Sequence, residues 1–199
     1  SPAIRVAGRK AMELAGVTPD DIDHVDLYSC FPSAVQIAAT EMELGIDRQL
    51  TQTGGLTFAG GPLNNYVTHS IATMANVLRE DAGTVGLCSA NGGYITKHAF
   101  GLYSTTPPSN GFKHQDCQTE IDAFPSVDLD AEHVGSGTIE AYTVMHGADG
   151  PERGLASVRT PNGRQWAGTS DLPLMESMMT EEHVGRSVQV LPDFSFELV

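Results

Sequence analysis

Three short segments hold the residue types that could do chemistry: Tyr28-Ser29-Cys30-Phe31, Gly60-Gly61-Pro62-Leu63-Asn64-Asn65 and Cys88-Ser89-Ala90-Asn91-Gly92-Gly93. Each ends a predicted strand or opens a predicted helix, the place in an α/β layer where ligands bind. Glycines let a backbone approach a ligand closely, and free N–H groups at a helix start suit an anion or a polarised carbonyl oxygen. A thiol offers a nucleophile or a proton carrier. From composition and spacing alone the same residues read more readily as structure, with Cys30 and Cys88 as small core side chains and the glycines as turns.

Other polar groups carry less. Asn64, Asn65 and Tyr66 offer donors in a loop that opens a helix, where amides also serve as turn and capping groups. Lys97 and His98 fall on a returning strand and read as a solvated face. His114 and Cys117 have half of a zinc spacing but no second ligand pair, so no metal is expected. There is no Gly-x-Ser-x-Gly elbow, phosphate loop or dinucleotide fingerprint.

Local signals place these segments on elements. Ser1-Pro2 starts a helix that Gly16 stops, with Ile4, Ala7, Ala11 and Leu14 on one face. Thr18-Pro19-Asp20-Asp21 turns into a strand over Val25–Ser29. A second helix runs from Pro32 to a Gly45 stop, burying Val35, Ala38, Ala39 and Met42. After the glycine-dense loop 54–62, a third helix spans about Asn65–Arg79. Thr84–Ala90 is almost wholly apolar, as in a strand covered on both faces. Asn91-Gly92-Gly93 makes a tight turn, and a strand returns over Tyr94–Tyr103. The order predicts an α/β layered module.

The chain has 199 residues, 11 Lys+Arg against 25 Asp+Glu and a net charge of -14. That balance argues against nucleic acid or an anionic membrane as a partner. With 40% hydrophobic residues the chain can bury a real core. No apolar run approaches the ~20 residues of a membrane span, and no signal-peptide pattern is present. Three scattered cysteines fit free thiols, and a cytoplasmic protein is expected. Residues 1–105 carry a net of -4 and residues 106–199 a net of -10. The Pro-Pro and Gly of Ser104–Gly111 separate the two regions.

The first region resembles the second half of the thiolase superfamily. That family has a helix with an Ala-Gly-Val end and a Pro-Asp-Asp-Ile-Asp turn before a strand ending in Asn-Glu-Ala-Phe, or His-Asp-Cys-Phe in the sterol-carrier type. Here Ala15-Gly16-Val17 and Pro19-Asp20-Asp21-Ile22-Asp23 precede Tyr28-Ser29-Cys30-Phe31. The family's glycine block ending in Gly-His-Pro is similar to Gly54–Pro62, and its Cys-x-Gly motif is similar to Cys88-Ser89-Ala90. The resemblance covers residues 1–105, and the subgroup it points to comprises acetyl-CoA acetyltransferase and lipid-transfer types with an extra C-terminal domain.

The resemblance implies a thiolase-like acyl-CoA acyltransferase domain. Its nucleophilic cysteine lies in the absent first half, so this chain alone is expected not to turn over. It implies Cys88, Tyr28 and Ser29 as catalytic groups, and Cys30, Phe31, Gly60, Gly61, Pro62, Asn64, Asn65, Tyr66, Asn91, Gly92 and Gly93 as substrate contacts. Coenzyme A enters as part of the substrate, with no further cofactor. The implied partners are an acyl-CoA, the N-terminal thiolase half and a second copy in a homodimer. Three positions depart from the pattern: Gly61 stands where the family has histidine, Tyr28 replaces Asn or His, and Ala90 replaces Gly. His69 is about 12 Å along a helix from position 61, too far to substitute. The departures leave two alternatives, a lipid-transfer module that binds without condensing, and an aldolase using Tyr28 and Tyr66.

From about Val127 the pattern alternates: Thr138, Glu140, Tyr142, Val144 and His146 on one face, Ile139, Ala141, Thr143 and Met145 on the other. Pro161-Asn162-Gly163 reads as a hairpin turn. A helix near Leu172–Met179 and a strand pair near Ser187–Leu198 complete an OB-like β-barrel. The expected organisation is therefore a thiolase-like domain over 1–105, a linker over 106–123 and the OB-like domain over 124–199.

Overall fold

A computed structural model describes residues 1–199. The chain divides into two compact units, Ser1–Phe124 and Pro125–Val199.

In the first unit, α1 (Pro2–Ala15) starts at Ser1, whose hydroxyl accepts from Ile4 N, and stops at Gly16 in the left-handed region, φ 74°. Its buried side is Ile4, Gly8 and Met12, one position round from the expected face. After a 3₁₀ turn at Pro19–Asp21 comes β1, confined to His24–Asp26. The ladder stops early because the next donors are taken elsewhere: Leu27 N–H goes to Leu50 O (2.8 Å) and Tyr28 N–H to Ser89 Oγ (2.8 Å). Helix α2 (Pro32–Glu41) also ends before Gly45, because Glu43 turns left-handed (φ 59°) and Leu44 N–H returns to Ala39 O. A one-turn helix, α3 (Leu56–Ala59), interrupts the glycine loop, and α4 spans Tyr66–Glu80.

Strand β2 (Val85–Gly92) lies between β1, parallel to it, and β3 (Lys97–Ser104), antiparallel. Asn91 and Gly92 belong to the strand rather than to the turn, which falls at 93–96. Alternation along β2 sends Leu87 into a core with Ile4, Val25, Leu27, Ala38 and Met42, and Cys88 into a separate cluster with Met74 and Leu78 of α4. The sheet is thus covered on both faces, as the apolar run of β2 requires. Helix α5 (Gln118–Asp122) falls within the stretch read as a linker and belongs to this unit.

The second unit is a five-stranded antiparallel sheet in the order β6-β5-β4-β7-β8, formed by β4 (Gly135–Gly147), β5 (Gly150–Arg159), β6 (Arg164–Thr169), β7 (Ser187–Val190) and β8 (Phe196–Leu198). Helix α6 (Leu172–Thr180) follows β6 with Asp171 as its N-cap. The outer strands do not pair in a ladder and no closed barrel forms; a single parallel bridge joins Gly168 to Ser195. The expected alternation on β4 changes phase: Ile139 is buried, yet Tyr142 and Val144 pack on the same core. A register shift between Ile139 and Ala141 supplies the extra residue that flips the faces. No helix in either unit is long and apolar enough to cross a membrane.

Candidate functional site

The chain leaving β1 and the glycine loop form the two walls of an open hollow of about 420 Å³, lined by Ser29, Cys30, Pro32, Thr51 and residues 54–57. That is the size of a small-molecule cleft, about 300–1,000 Å³. The walls are tied together by Ser29 Oγ, which accepts from Leu56 N at 3.0 Å. This close approach demands glycine at 55: φ is 75°, and a Cβ there would fall 2.6 Å from Ser29 Oγ. Cys30 is half-buried at the rim, and its Sγ accepts from Asn91 Nδ2 at 3.2 Å.

Beneath the loop lies a buried carboxylate. Asp26 Oδ2 accepts from Gln52 N (2.7 Å) and Thr53 N (3.0 Å), while Oδ1 accepts from the Tyr66 hydroxyl (3.1 Å). Thr53 Oγ1 is 2.8 Å from the same phenol and accepts from Gly55 N at 3.0 Å. Asp26 and Tyr66 are fully buried, so these bonds replace the water a carboxylate needs. Burial pushes the Tyr66 phenol above its ordinary value. Its ring meets that of Tyr28 edge to face, centroids 5.1 Å apart.

The expected residues are brought together only in part. Tyr28, Ser29 and Cys30 stand with Asn91 at the ends of β1 and β2. The Cys88 side chain points the other way along the alternation, into the α4 cluster, and burial pushes its thiol up to about 11. Ser89 takes the opposite face, where it is buried and receives Tyr28 N–H. Phe31 is half-exposed as the N-cap of α2. Gly60, Gly61, Pro62 and Asn64 follow α3 without lining the hollow, and Asn65 precedes α4 without making a side-chain cap. A Cβ at Gly61 would touch only Leu56 Cδ2, at 3.7 Å. Gly92 ends β2, and Gly93 begins the exposed turn.

Several participants lay outside the expected set. Asp26 had a signal, an acid set between the apolar Val25 and Leu27. Ser89 had none beyond its neighbour. His98 does not lie on a solvated face: it pairs across the sheet with Asn91, its Nε2 is buried, and burial lowers its pKa. His114 and Cys117 join no group of three metal-capable side chains.

Comparison with known proteins gives this geometry a family. Residues 116–194 match the family described as the thiolase-like protein type 1 additional C-terminal domain. A 3-ketoacyl-CoA thiolase of Marinomonas sp. (strain MWYL1) is 37% identical over 87 residues, 42% of this chain and 22% of that protein. One from Stutzerimonas stutzeri (strain A1501) is 28% identical over 83 residues, 41% of this chain and 21% of that protein. The crystal structure of a monomeric SCP2-thiolase like protein type 1 from Mycobacterium smegmatis superposes with a TM-score of 0.87 at 36% identity, covering 100% of this chain and 45% of that one. The aligned part of this chain thus spans about a fifth of the curated relatives, and the chain less than half of the solved one. A mixed α/β unit built around the β1 and β2 strand ends, followed by the additional C-terminal domain, places the chain in the thiolase superfamily as a thiolase-like protein.

Proposed function

We propose that this chain is the second half of a thiolase-like acyl-CoA acyltransferase and supplies one wall of the site for a CoA thioester. The observation that carries the reading is the hollow between Ser29-Cys30 and the Gly54–Thr57 loop, open to solvent and of ligand size. Cys30, rather than Cys88, is the thiol able to meet a substrate, because it is at the rim with an amide donor on its sulfur. A thiol in that position moves a proton to or from the reacting carbon. Cys88, held neutral to about pH 11 in an apolar cluster, serves the core. The acylated nucleophile belongs to the first half, and this chain alone does not turn over.

Gly61 favours a second reading, binding or transfer of the acyl-CoA without condensation, since no imidazole is available there to activate a nucleophile. The aldolase alternative is disfavoured by Tyr66, whose phenol is buried and committed to Asp26 and Thr53. With few cations in the chain, the CoA phosphates rest on the other half or on solvent.

The strand order of the second unit, with a helix between its third and fourth strands and one bridge between its edges, supports an OB-like module. Its net acidity suits docking or covering a protein surface better than binding an oligonucleotide. The Mycobacterium smegmatis relative is monomeric by its description, so a monomer is expected here in place of the homodimer.

Calorimetry with acetyl-CoA on the two halves together, followed by assay of free CoA release, tests the reading. Binding with release that is lost in Cys30→Ala and kept in Cys88→Ala supports the acyltransferase. Binding without release selects the transfer reading, and no binding removes both.

A further inference from the structure

We propose that Asn91 is a positioning residue for the Cys30 thiol, held in its working orientation by one buried water shared with His98. The amide of Asn91 presents Nδ2 to Cys30 Sγ at 3.2 Å. The opposite end, Oδ1, is buried and has no protein partner. Leaving a buried acceptor unmet costs about 1–3 kcal/mol. Nothing in the shape of a carboxamide chooses which end faces the sulfur, so whatever meets Oδ1 decides it.

His98 lies directly across the antiparallel ladder from Asn91, and its Nε2 is likewise buried without a protein partner. Burial lowers the pKa of this imidazole, and a backbone bond to Ile95 opposes that shift only in part. A neutral ring with its proton on Nδ1 offers Nε2 as an acceptor.

Both residues line a single cavity of about 10 Å³, together with Ser89. That is the room one water needs, and a buried water needs two to four polar partners. The partners here balance: the water donates to Asn91 Oδ1 and to His98 Nε2, and accepts from the Ser89 hydroxyl, whose oxygen already receives Tyr28 N–H. With Oδ1 met in this way, Nδ2–H stays on Sγ and holds the sulfur at the rim of the hollow. The amide thus positions the thiol placed at the thioester hollow above. The inference rests on that reading for its meaning, while the thiol chemistry can be measured without any CoA.

The test is alkylation of the full chain by iodoacetamide at pH 8, followed by mass spectrometry in a Cys117→Ser background, with melting recorded for each variant. Asn91→Asp keeps the shape but sets a carboxylate against the sulfur in place of the donor; it should slow Cys30 alkylation about tenfold, since like charges repel. His98→Leu should slow it several-fold, and His98→Gln, which returns an acceptor to the cavity, should restore it. An unchanged rate in Asn91→Asp or in His98→Leu overturns the proposal, as does a His98→Gln rate no faster than that of His98→Leu. If Asn91→Asp does not fold, the His98 pair decides alone. Loss of CoA binding would sink the thioester reading and leave these rates untouched.

Discussion

The hydroxyl of Tyr66 donates to Oδ1 of Asp26 at 3.1 Å, while the other oxygen of the same carboxylate holds the backbone of Gln52 and Thr53. One buried acid therefore ties the first turn of α4 to the loop that walls the hollow. Tyr66→Phe removes one donor and should cost about 1–3 kcal/mol. Asp26→Ala takes the acceptor from two part-buried backbone donors as well as from the buried phenol and should cost at least about 3 kcal/mol. Urea unfolding of the two variants checks the order; Asp26→Ala as stable as Tyr66→Phe would refute the shared anchor.

Gly55 is required twice over, by a left-handed backbone and by Ser29 Oγ at 2.6 Å from its absent Cβ. Gly55→Ala should lose about 1–3 kcal/mol and open the hollow. Adding Ser29→Gly removes the clash and keeps the φ penalty, so the double variant should regain part of the loss by a double-mutant cycle. Full additivity would show that the two positions do not meet.

The Cys88 thiol gives the first unit a pH dependence at the alkaline end. Below pH 9 it is neutral in both the folded and unfolded chain and contributes nothing. As pH rises past the ordinary value of 9.0 the unfolded thiol ionises, whereas the folded one keeps its proton until about 11. Stability therefore falls between these values, by up to about 3 kcal/mol. Urea midpoints from pH 8 to 11 should show this slope in the parent and a shallower one in Cys88→Ala.

In the second unit, a Cβ on Gly163 would fall 2.3 Å from the backbone oxygen of Asp128, which accepts from Arg164 N at 2.9 Å. Backbone cannot step aside as a side-chain tip can, so Gly163→Ala should cost about 1–3 kcal/mol. The single tryptophan, Trp166, lies three residues on in β6 and reports the transition by fluorescence. An unshifted midpoint would contradict the packing.

Much of the architecture was legible in the chain because it depends on local chemistry. Ser1, Pro2 and Gly16 bound α1 through capping and a left-handed stop, and the apolar run of β2 announced a strand covered on both faces. The ordered motifs placed the first region in its superfamily. Alternation marked the second region as sheet, although the shift after Ile139 reversed its faces, since a bulge leaves no periodic trace.

Which thiol could meet a ligand was decided only in three dimensions. Cys30 and Cys88 are both small thiols in segments that sequence alone marks alike, and alternation says that Cys88 and Ser89 face opposite ways without saying which way is α4. Helix packing settled that choice, burying Cys88 and leaving Ser89 beside Tyr28. The pairing of Asn91 with His98 likewise needed the position of the turn, because a slip of one residue would have put His98 on the opposite face of the sheet from Asn91. Local preference names the elements; the side chains that share a site are chosen by long-range register and burial, which no short window of sequence contains.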